Sequence, residues 1–358
     1  MASSNKIPVW TIVAPILAWI DFFIAHAVHW APLLIVSVPF LVASVLSAVH
    51  HAETIAHRVG EPFGTLVLAL AVTLIEVSLI VSLMFASEKD NSALARDTVF
   101  AAVMIILNGM VGISLFAGGV RFRVQKFALQ GISAALTILV TTSVVVFILP
   151  NYTVSAPGPT YTKQQLIFVA IVTLILYGTF IVVQNIRHRD HFLSEGEKED
   201  VVEAKPDNTT TLLSLLLLVV CLGAVVMLAE SLAPSLEGWL RSIGAPVSMV
   251  GVIIAVVVLL PEGLSAYRAA SKNQVQKSLN LSLGSAIASI GLTIPTVSFV
   301  SLYTGIPLTL GISSGATVLF LTSLFVIILS LSTGKTTILQ GVVLLIIFAI
   351  YLFSIIAP

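Results

Sequence analysis

Glu76 lies in the middle of the apolar stretch 64–85, and Glu262 lies in the apolar stretch 247–267. A carboxylate at the centre of a membrane helix costs about 2.5–3.5 kcal/mol on insertion scales, so each calls for a functional explanation. Asp21 and Glu230 sit within a turn or two of the ends of their apolar runs and read as interfacial or structural. Two carboxylates facing each other in low dielectric cannot both stay ionised and empty, because desolvation and like-charge repulsion both oppose it. They must hold protons or a cation. Competition between the two for the same oxygens is the chemistry of exchange.

Neighbouring residues add ligands. Pro261 has no amide hydrogen to give the carbonyl of Val257, so carbonyls near Val257 and Val258 are freed beside Glu262. Such an oxygen-rich pocket suits hard cations such as Ca²⁺, Na⁺ or K⁺; an ordinary proline kink is the plainer alternative. Thr73, one turn before Glu76, offers a hydroxyl. Ser278, Ser282, Ser285 and Ser289 recur at one helical face, where small residues serve close packing or ligation. Ser285 is the strongest ligand candidate among them, with Ser282 beside the pathway. Asn108, with Gly109 and Gly112, is open to the same two readings. His50, His51 and His57 cluster with Glu53, a set that could sense pH because histidine titrates near neutrality, or could simply lie at a wet interface. His26 and His29, with Trp10, Trp19 and Trp30, read as interfacial belt residues. No zinc spacing, Walker motif or nucleotide fingerprint occurs, which argues against energy from ATP bound by this chain and against any cofactor.

The elements that position these groups are membrane helices. Of 358 residues, 58% are hydrophobic and 9% charged, which excludes a soluble enzyme. Seventeen Lys and Arg balance seventeen Asp and Glu, so no bulk charge points to nucleic acid. The single cysteine, Cys221, excludes a disulfide framework. About 20 apolar residues cross a bilayer, and that rule gives eleven spans near 10–27, 32–49, 64–85, 98–119, 127–149, 165–184, 212–233, 247–267, 279–304, 316–331 and 337–356. With the N-terminus cytoplasmic, the inner side collects Lys6, Arg58, Arg121, Arg123, Lys126, Arg187, Arg189, Lys198, Lys205, Arg268, Lys272, Lys277 and Lys335. The outer side has only Lys89, Arg96, Lys163 and Arg241, as the positive-inside rule requires. The C-terminus then faces outward. The N-terminal run does not read as a signal peptide, having no basic segment beyond Lys6 and no small-residue cleavage site.

An acidic cytoplasmic linker at 187–210 divides the chain; it reads as a solvated strip, or as a regulatory one. Residues 1–30 hold an extra helix, 31–186 a first five-helix repeat and 211–358 a second. An odd number of spans per half inverts the second half in the membrane, as in many secondary transporters whose sites lie at the midplane. Glu76 and Glu262 fall on the second helix of each half.

These residues resemble a known family. The stretch from His51 through Glu53, Gly60, Glu61 and Gly64 to Glu76 is similar to the first signature of the cation/proton exchangers, within the Ca²⁺/cation antiporter superfamily. Glu262, Lys272-Asn273, Gly284-Ser285 and Pro295 resemble the second signature. The resemblance spans the chain beyond the first helix and is nearest the bacterial calcium/sodium(potassium)–proton antiporter branch. The family's Gly-Asn pairs are Val72-Thr73 and Val258-Leu259 here, and its usual Gln is Ala288, which leaves Na⁺ or K⁺ open beside Ca²⁺. The expectation is an inner-membrane antiporter that exchanges Ca²⁺, Na⁺ or K⁺ for protons and has membrane lipid as its surroundings. A channel or uniporter, and an intramembrane hydrolase, are the alternatives.

Overall fold

The computed structural model describes residues 7–28, 33–60, 63–86, 92–192, 206–246 and 248–357. Eleven helices run through them: α1 (Trp10–Val28), α2 (Leu33–Val59), α3 (Phe63–Ala86), α4 (Leu94–Phe122), α5 (Leu129–Tyr152), α6 (Lys163–Arg187), α7 (Asn208–Ser242), α8 (Met249–Ser271), α9 (Val275–Thr304), α10 (Ser314–Leu331) and α11 (Ile338–Ile356). Among the described residues nine of these are long and apolar enough to cross a membrane, and α1 and α3 hold the shorter apolar stretches Trp10–Ala25 and Leu66–Ser82. The chain is an all-α, multi-pass membrane protein.

Two helices run further than expected. The polar stretch 50–58, expected as a break, continues α2, because Ala52 and Ala56 stay buried along one face. The helix ends where Gly60 takes φ 79°, a conformation a side chain would strain. Likewise α7 passes through Pro234, which was expected to stop it; a membrane helix tolerates the lost hydrogen bond. It starts at Asp207, whose carboxylate accepts from the Thr210 amide at 2.9 Å. That bond holds the Asp207 carboxyl below the usual aspartate range. Most of the acidic linker, from 193 to 205, lies outside the described residues.

The helices form two compact units. The first contains α1, α2, α3 and α7, with α2 packed against the other three. Its turn into α3 is tight, since a Cβ on Gly64 would sit 2.5 Å from the Ala56 carbonyl oxygen. Ser47 on α2 donates to the Thr11 carbonyl at 2.6 Å, and Trp19 Nε1 donates to the Val220 carbonyl at 3.2 Å. Trp19 thus packs between α1 and α7; the side chains of His26, His29 and Trp30 lie outside the described residues. Arg58 bonds the Pro206 carbonyl and the Asn208 side chain, tying the end of α2 to the start of α7.

The second unit contains α4, α5, α6, α9, α10, α11 and α8 from Gly251 onward. Its innermost element is α4, 83% of whose apolar window is buried. Glycines let backbones meet there, the device expected where lipid gives helices no hydrophobic reason to associate. Gly119 abuts Ile338, and Gly341 abuts Phe116, backbone against backbone.

The turns of this unit sort to two ends. At one end Gln125 and Lys126 pair with Thr336 and Lys335 in a short antiparallel ladder. Gln125 Nε2 also donates to the Ala270 carbonyl at 3.0 Å and to Asn273 Oδ1 at 3.1 Å, and Asn280 donates to the Phe192 carbonyl. At the other end Thr309 pairs with Thr160 and donates from its amide to the Ser92 carbonyl at 2.8 Å. Asn151 Nδ2 donates to the Ile312 carbonyl there, at 2.7 Å. Helices that alternate direction through a membrane must sort their turns in this way.

Candidate ion-binding site

Glu76 and Thr73 belong to the first unit. On α3 they share the inward face with Ile80, at helical spacings of three and four, while Leu70 and Leu74 are 45% and 51% exposed on the opposite side. Glu76 is 5% exposed. The Thr73 hydroxyl donates its proton to the Ala69 carbonyl at 2.8 Å, which leaves its lone pairs as the free functionality, suited to a cation. Further along α3, Ser82 donates to Glu230 on α7 at 3.2 Å, and both are exposed or nearly so.

The histidine cluster separates. His51 is fully buried with Nε2 3.3 Å from the Thr11 carbonyl oxygen. The half-buried His50 ring lies 6.0 Å from the Trp10 ring and 5.8 Å from that of His51. Glu53 is half-buried and His57 exposed; spacings of three and four put both on the face of His50 and leave His51 on another. Glu61 lies outside the described residues.

Glu262 belongs to the second unit. It is 8% exposed, on the face of α8 that carries Ala255, Val258, Leu259, Ala266 and Ala269, all buried. Val257 is half-buried. The opposite face, with Val256, Leu264 and Tyr267, is exposed as a lipid-facing surface would be. The helix runs unbroken through Pro261. Glycines set it close along α4: a Cβ on Gly251 would lie 3.2 Å from the Thr98 amide nitrogen, and one on Gly263 would lie 3.6 Å from Met110. Glu262 therefore sits level with the segment that Met110 closes.

That segment is where α4 departs from α-helix. Ile105–Met110 forms a π-turn, and so does Ser289–Thr293 in α9. Each π-turn packs against the other helix. An inserted residue loosens the backbone hydrogen-bond ladder, which makes π-turns frequent at functional sites. The two helices occupy the same ordinal place, third after the start of each half, and nothing in the residue pattern announced their interruption.

Asn108 lies inside the first π-turn and is fully buried. Its Nδ2 donates to Ser323 Oγ on α10 at 3.1 Å and to the Met104 carbonyl at 3.2 Å, while Met104 Sδ lies 3.8 Å away. Oδ1 has no hydrogen-bond partner among the described residues. Met104, one turn back on α4, and Ser323 complete a polar clamp, and the Ser323 half could not be revealed by spacing within one helix. Asn108→Ala is expected to lower stability by about 1–3 kcal/mol, the usual cost of stripping a buried hydrogen-bonding group; a melting temperature equal to wild type would show that the clamp carries no load.

The serines of α9 differ among themselves. Ser278 and Ser282 are fully buried, and Ser282 donates to the Ser278 carbonyl at 3.0 Å. Ser289 opens the π-turn and is buried. Ser285 is half-buried beside Gly284, where an added Cβ would meet no atom within 4 Å. No group of three or more His, Cys, Asp or Glu side chains that could hold a metal is found among the described residues. A hard cation would therefore depend on hydroxyls and backbone carbonyls to complete its shell around a carboxylate.

Known proteins share this sequence and architecture. The sequence model of the sodium/calcium exchanger protein family matches residues 29–185 and 213–357. The sodium-potassium/proton antiporter ChaA of Escherichia coli is 35% identical over 355 residues, 97% of this chain and 96% of the relative. The y4hA protein of Sinorhizobium fredii, a proposed ionic transporter, is 41% identical over 353 residues, 98% of this chain and 96% of the relative. Among solved structures, native YfkE superposes with a TM-score of 0.73 at 18% identity, covering 97% of this chain and 100% of that one. The H⁺/Ca²⁺ exchanger CAX gives 0.70 at 16% identity, over 96% and 87% of the two chains. At these identities the structural likeness speaks for the fold alone.

Proposed function

The chain belongs to the sodium/calcium exchanger protein family, a family of secondary transporters and not of enzymes, and from that premise we propose that it exchanges a cation for protons. The cation is Na⁺ or K⁺, with Ca²⁺ as an alternative cargo. A sodium-potassium/proton antiporter related over nearly its whole length supports the monovalent ions, and a more distant Ca(2+)/H(+) antiporter of Aphanothece halophytica, 24% identical over 340 residues, keeps Ca²⁺ in play.

What carries this assignment is the burial of Glu262, 8% exposed on α8 where that helix runs along the π-turn of α4. Glu76, 5% exposed on α3, is the matching acid of the other half. Each carboxyl is poorly solvated, which raises the cost of its charge, so a proton or a cation neutralises it, one at a time. Thr73 lends lone pairs beside Glu76. Ser285 and Ser282, with Asn108 Oδ1 and the carbonyls freed near Val257 and Val258, supply further oxygens along the path. Residues 31–186 and 211–358 act as inverted halves, with residues 1–30 as an added helix and 187–210 as a connector. Alternating access then presents each carboxyl to either side of the membrane in turn. His50, His51, Glu53 and His57 sense pH at the inner end of α2. The protein sits in the inner membrane among lipid, with its N-terminus cytoplasmic and its C-terminus outside; the distribution of Lys and Arg supports that orientation. No cofactor enters the scheme: its ligands are the transported ions.

The test is flux in proteoliposomes, with Ca²⁺, Na⁺ and K⁺ compared from mildly acidic to alkaline pH. Because protons and cation compete for the same oxygens, apparent cation affinity should rise with pH, by up to about tenfold per unit for each proton displaced, the linkage relation for competing ligands. The sign follows from deprotonation: alkali empties the carboxyls and leaves them charged for the cation. Cation flux that moves no protons would make the protein a channel or uniporter instead.

A further inference from the structure

One buried acid takes no part in that scheme. Asp21 lies eleven residues into α1, about 16 Å along the helix at 1.5 Å per residue, and is 5% exposed. It was read as interfacial or structural, and it is enclosed. It shares the inward face of α1 with Thr11, Ala14 and Ala18, all buried, while Val13, Ile16, Leu17, Ile20, Phe23 and Ile24 are exposed on the outer face. Asp21 Oδ2 is buried and has no hydrogen-bond partner among the described residues.

A polar face runs along the neighbouring helix α2. Ser37, Ser44, Ser47 and His51 recur along one face of α2, all 2% exposed or less. Ser47 and His51 lie at the Thr11 carbonyl. Because α2 runs opposite to α1, ten residues along α1 bring Asp21 level with the region of Ser37. Trp19, two residues before Asp21, meets Val220 and Gly223 on α7. Ser44 Oγ and Ser214 Oγ are buried without hydrogen-bond partners among the described residues.

We propose that Asp21, with the hydroxyls of α2 behind it, is a second proton-binding site, seated where α1, α2 and α7 meet and separate from the exchanging carboxyls. The ligand is the proton and not a metal, because the site offers one carboxyl and hydroxyls, too few charged oxygens to dehydrate a metal ion. No metal-holding cluster of His, Cys, Asp or Glu is found among the described residues. The titratable and charged groups described on the packed elements are His50, His51, Glu53, His57 and Arg58 at the far end of α2, and Cys221, Glu230, Glu237 and Arg241 on α7. Proton occupancy at Asp21 changes the charge buried under α1, and so couples pH to how that helix seats on the first helix of each half.

The site is tested with dicyclohexylcarbodiimide, an apolar reagent that modifies protonated carboxyls within membranes, applied to the full-length protein in proteoliposomes. Mass spectrometry of the peptide carrying Asp21 should show an adduct at mildly acidic pH that falls at least about tenfold at alkaline pH. The adduct should be absent in Asp21→Asn and should persist in Glu262→Gln. Asp21→Asn should keep the maximal exchange rate within about twofold and shift the pH of half-maximal exchange by about half a unit or more. Absence of an adduct at every pH, or a pH profile in Asp21→Asn that overlays wild type, overturns the proposal. Neither result bears on the exchange reaction, which the Glu262 variant judges independently.

Discussion

Glu262→Gln is expected to reduce cation/proton exchange at least about 100-fold while the protein still inserts and melts within a few degrees of wild type. Glutamine keeps the shape of the side chain and removes its charge and its proton. It can neither neutralise a cation nor release hydrogen ions to the far side, so both halves of the exchange cycle stop together. A drop of two orders of magnitude corresponds to about 2.7 kcal/mol in the rate-limiting barrier. Because Glu262 lies among Val258, Leu259 and Ala266, the neutral amide adds no buried charge, which is why stability should hold. Glu76→Gln is expected to behave alike, since each half supplies one acid. Glu262→Asp draws the carboxyl back by one methylene and should leave weak, pH-sensitive exchange. The measurement is collapse of an imposed pH gradient on cation addition in vesicles carrying each variant, and wild-type rates in both glutamine variants would refute the assignment.

The largest structural effect is expected from Gly341→Leu. A Cβ at Gly341 would collide with the Phe116 amide nitrogen, lie 2.7 Å from Phe116 Cα and 2.9 Å from the Gly112 carbonyl oxygen. Every one of these is a backbone atom of α4, so no side chain can swing aside. The two helices must separate along a seam that also holds Gly119 against Ile338. Overpacking of this kind commonly costs about 1–3 kcal/mol and more when backbone itself must move, so about 3 kcal/mol or above is expected here. The variant should purify poorly, or melt many degrees lower, with activity lost in proportion to folded protein. Gly178, whose added Cβ would meet nothing within 4 Å, supplies the control: Gly178→Leu should melt near wild type. Equal melting temperatures for Gly341→Leu and wild type would mean that the close helix contact is not needed.

Much of this architecture was legible beforehand because the bilayer imposes a length and a polarity on every segment that crosses it. Eleven apolar runs became eleven helices, and the acids that stood out in them, Glu76 and Glu262, lie on buried faces. Helix ends were less legible. Hydropathy sees where a segment leaves the hydrocarbon, whereas backbone hydrogen bonding continues until something breaks it, so α2 ran on to Gly60 and α7 through Pro234. The burial of Asp21 was less legible still, because its distance from the end of a run said nothing about which neighbours would cover it.

Composition and residue spacing alone determined that this is a membrane-embedded, all-helical protein with a few acids inside its apolar runs, where charges are too costly to be kept idly. Tertiary structure alone decided which polar groups meet. It pairs Asn108 with Ser323, distant by more than two hundred positions, sets Glu262 level with a π-turn in α4, and buries Asp21. Those outcomes depend on how helices cross and where glycines let backbones touch, and such contacts between remote segments leave no periodicity within either one.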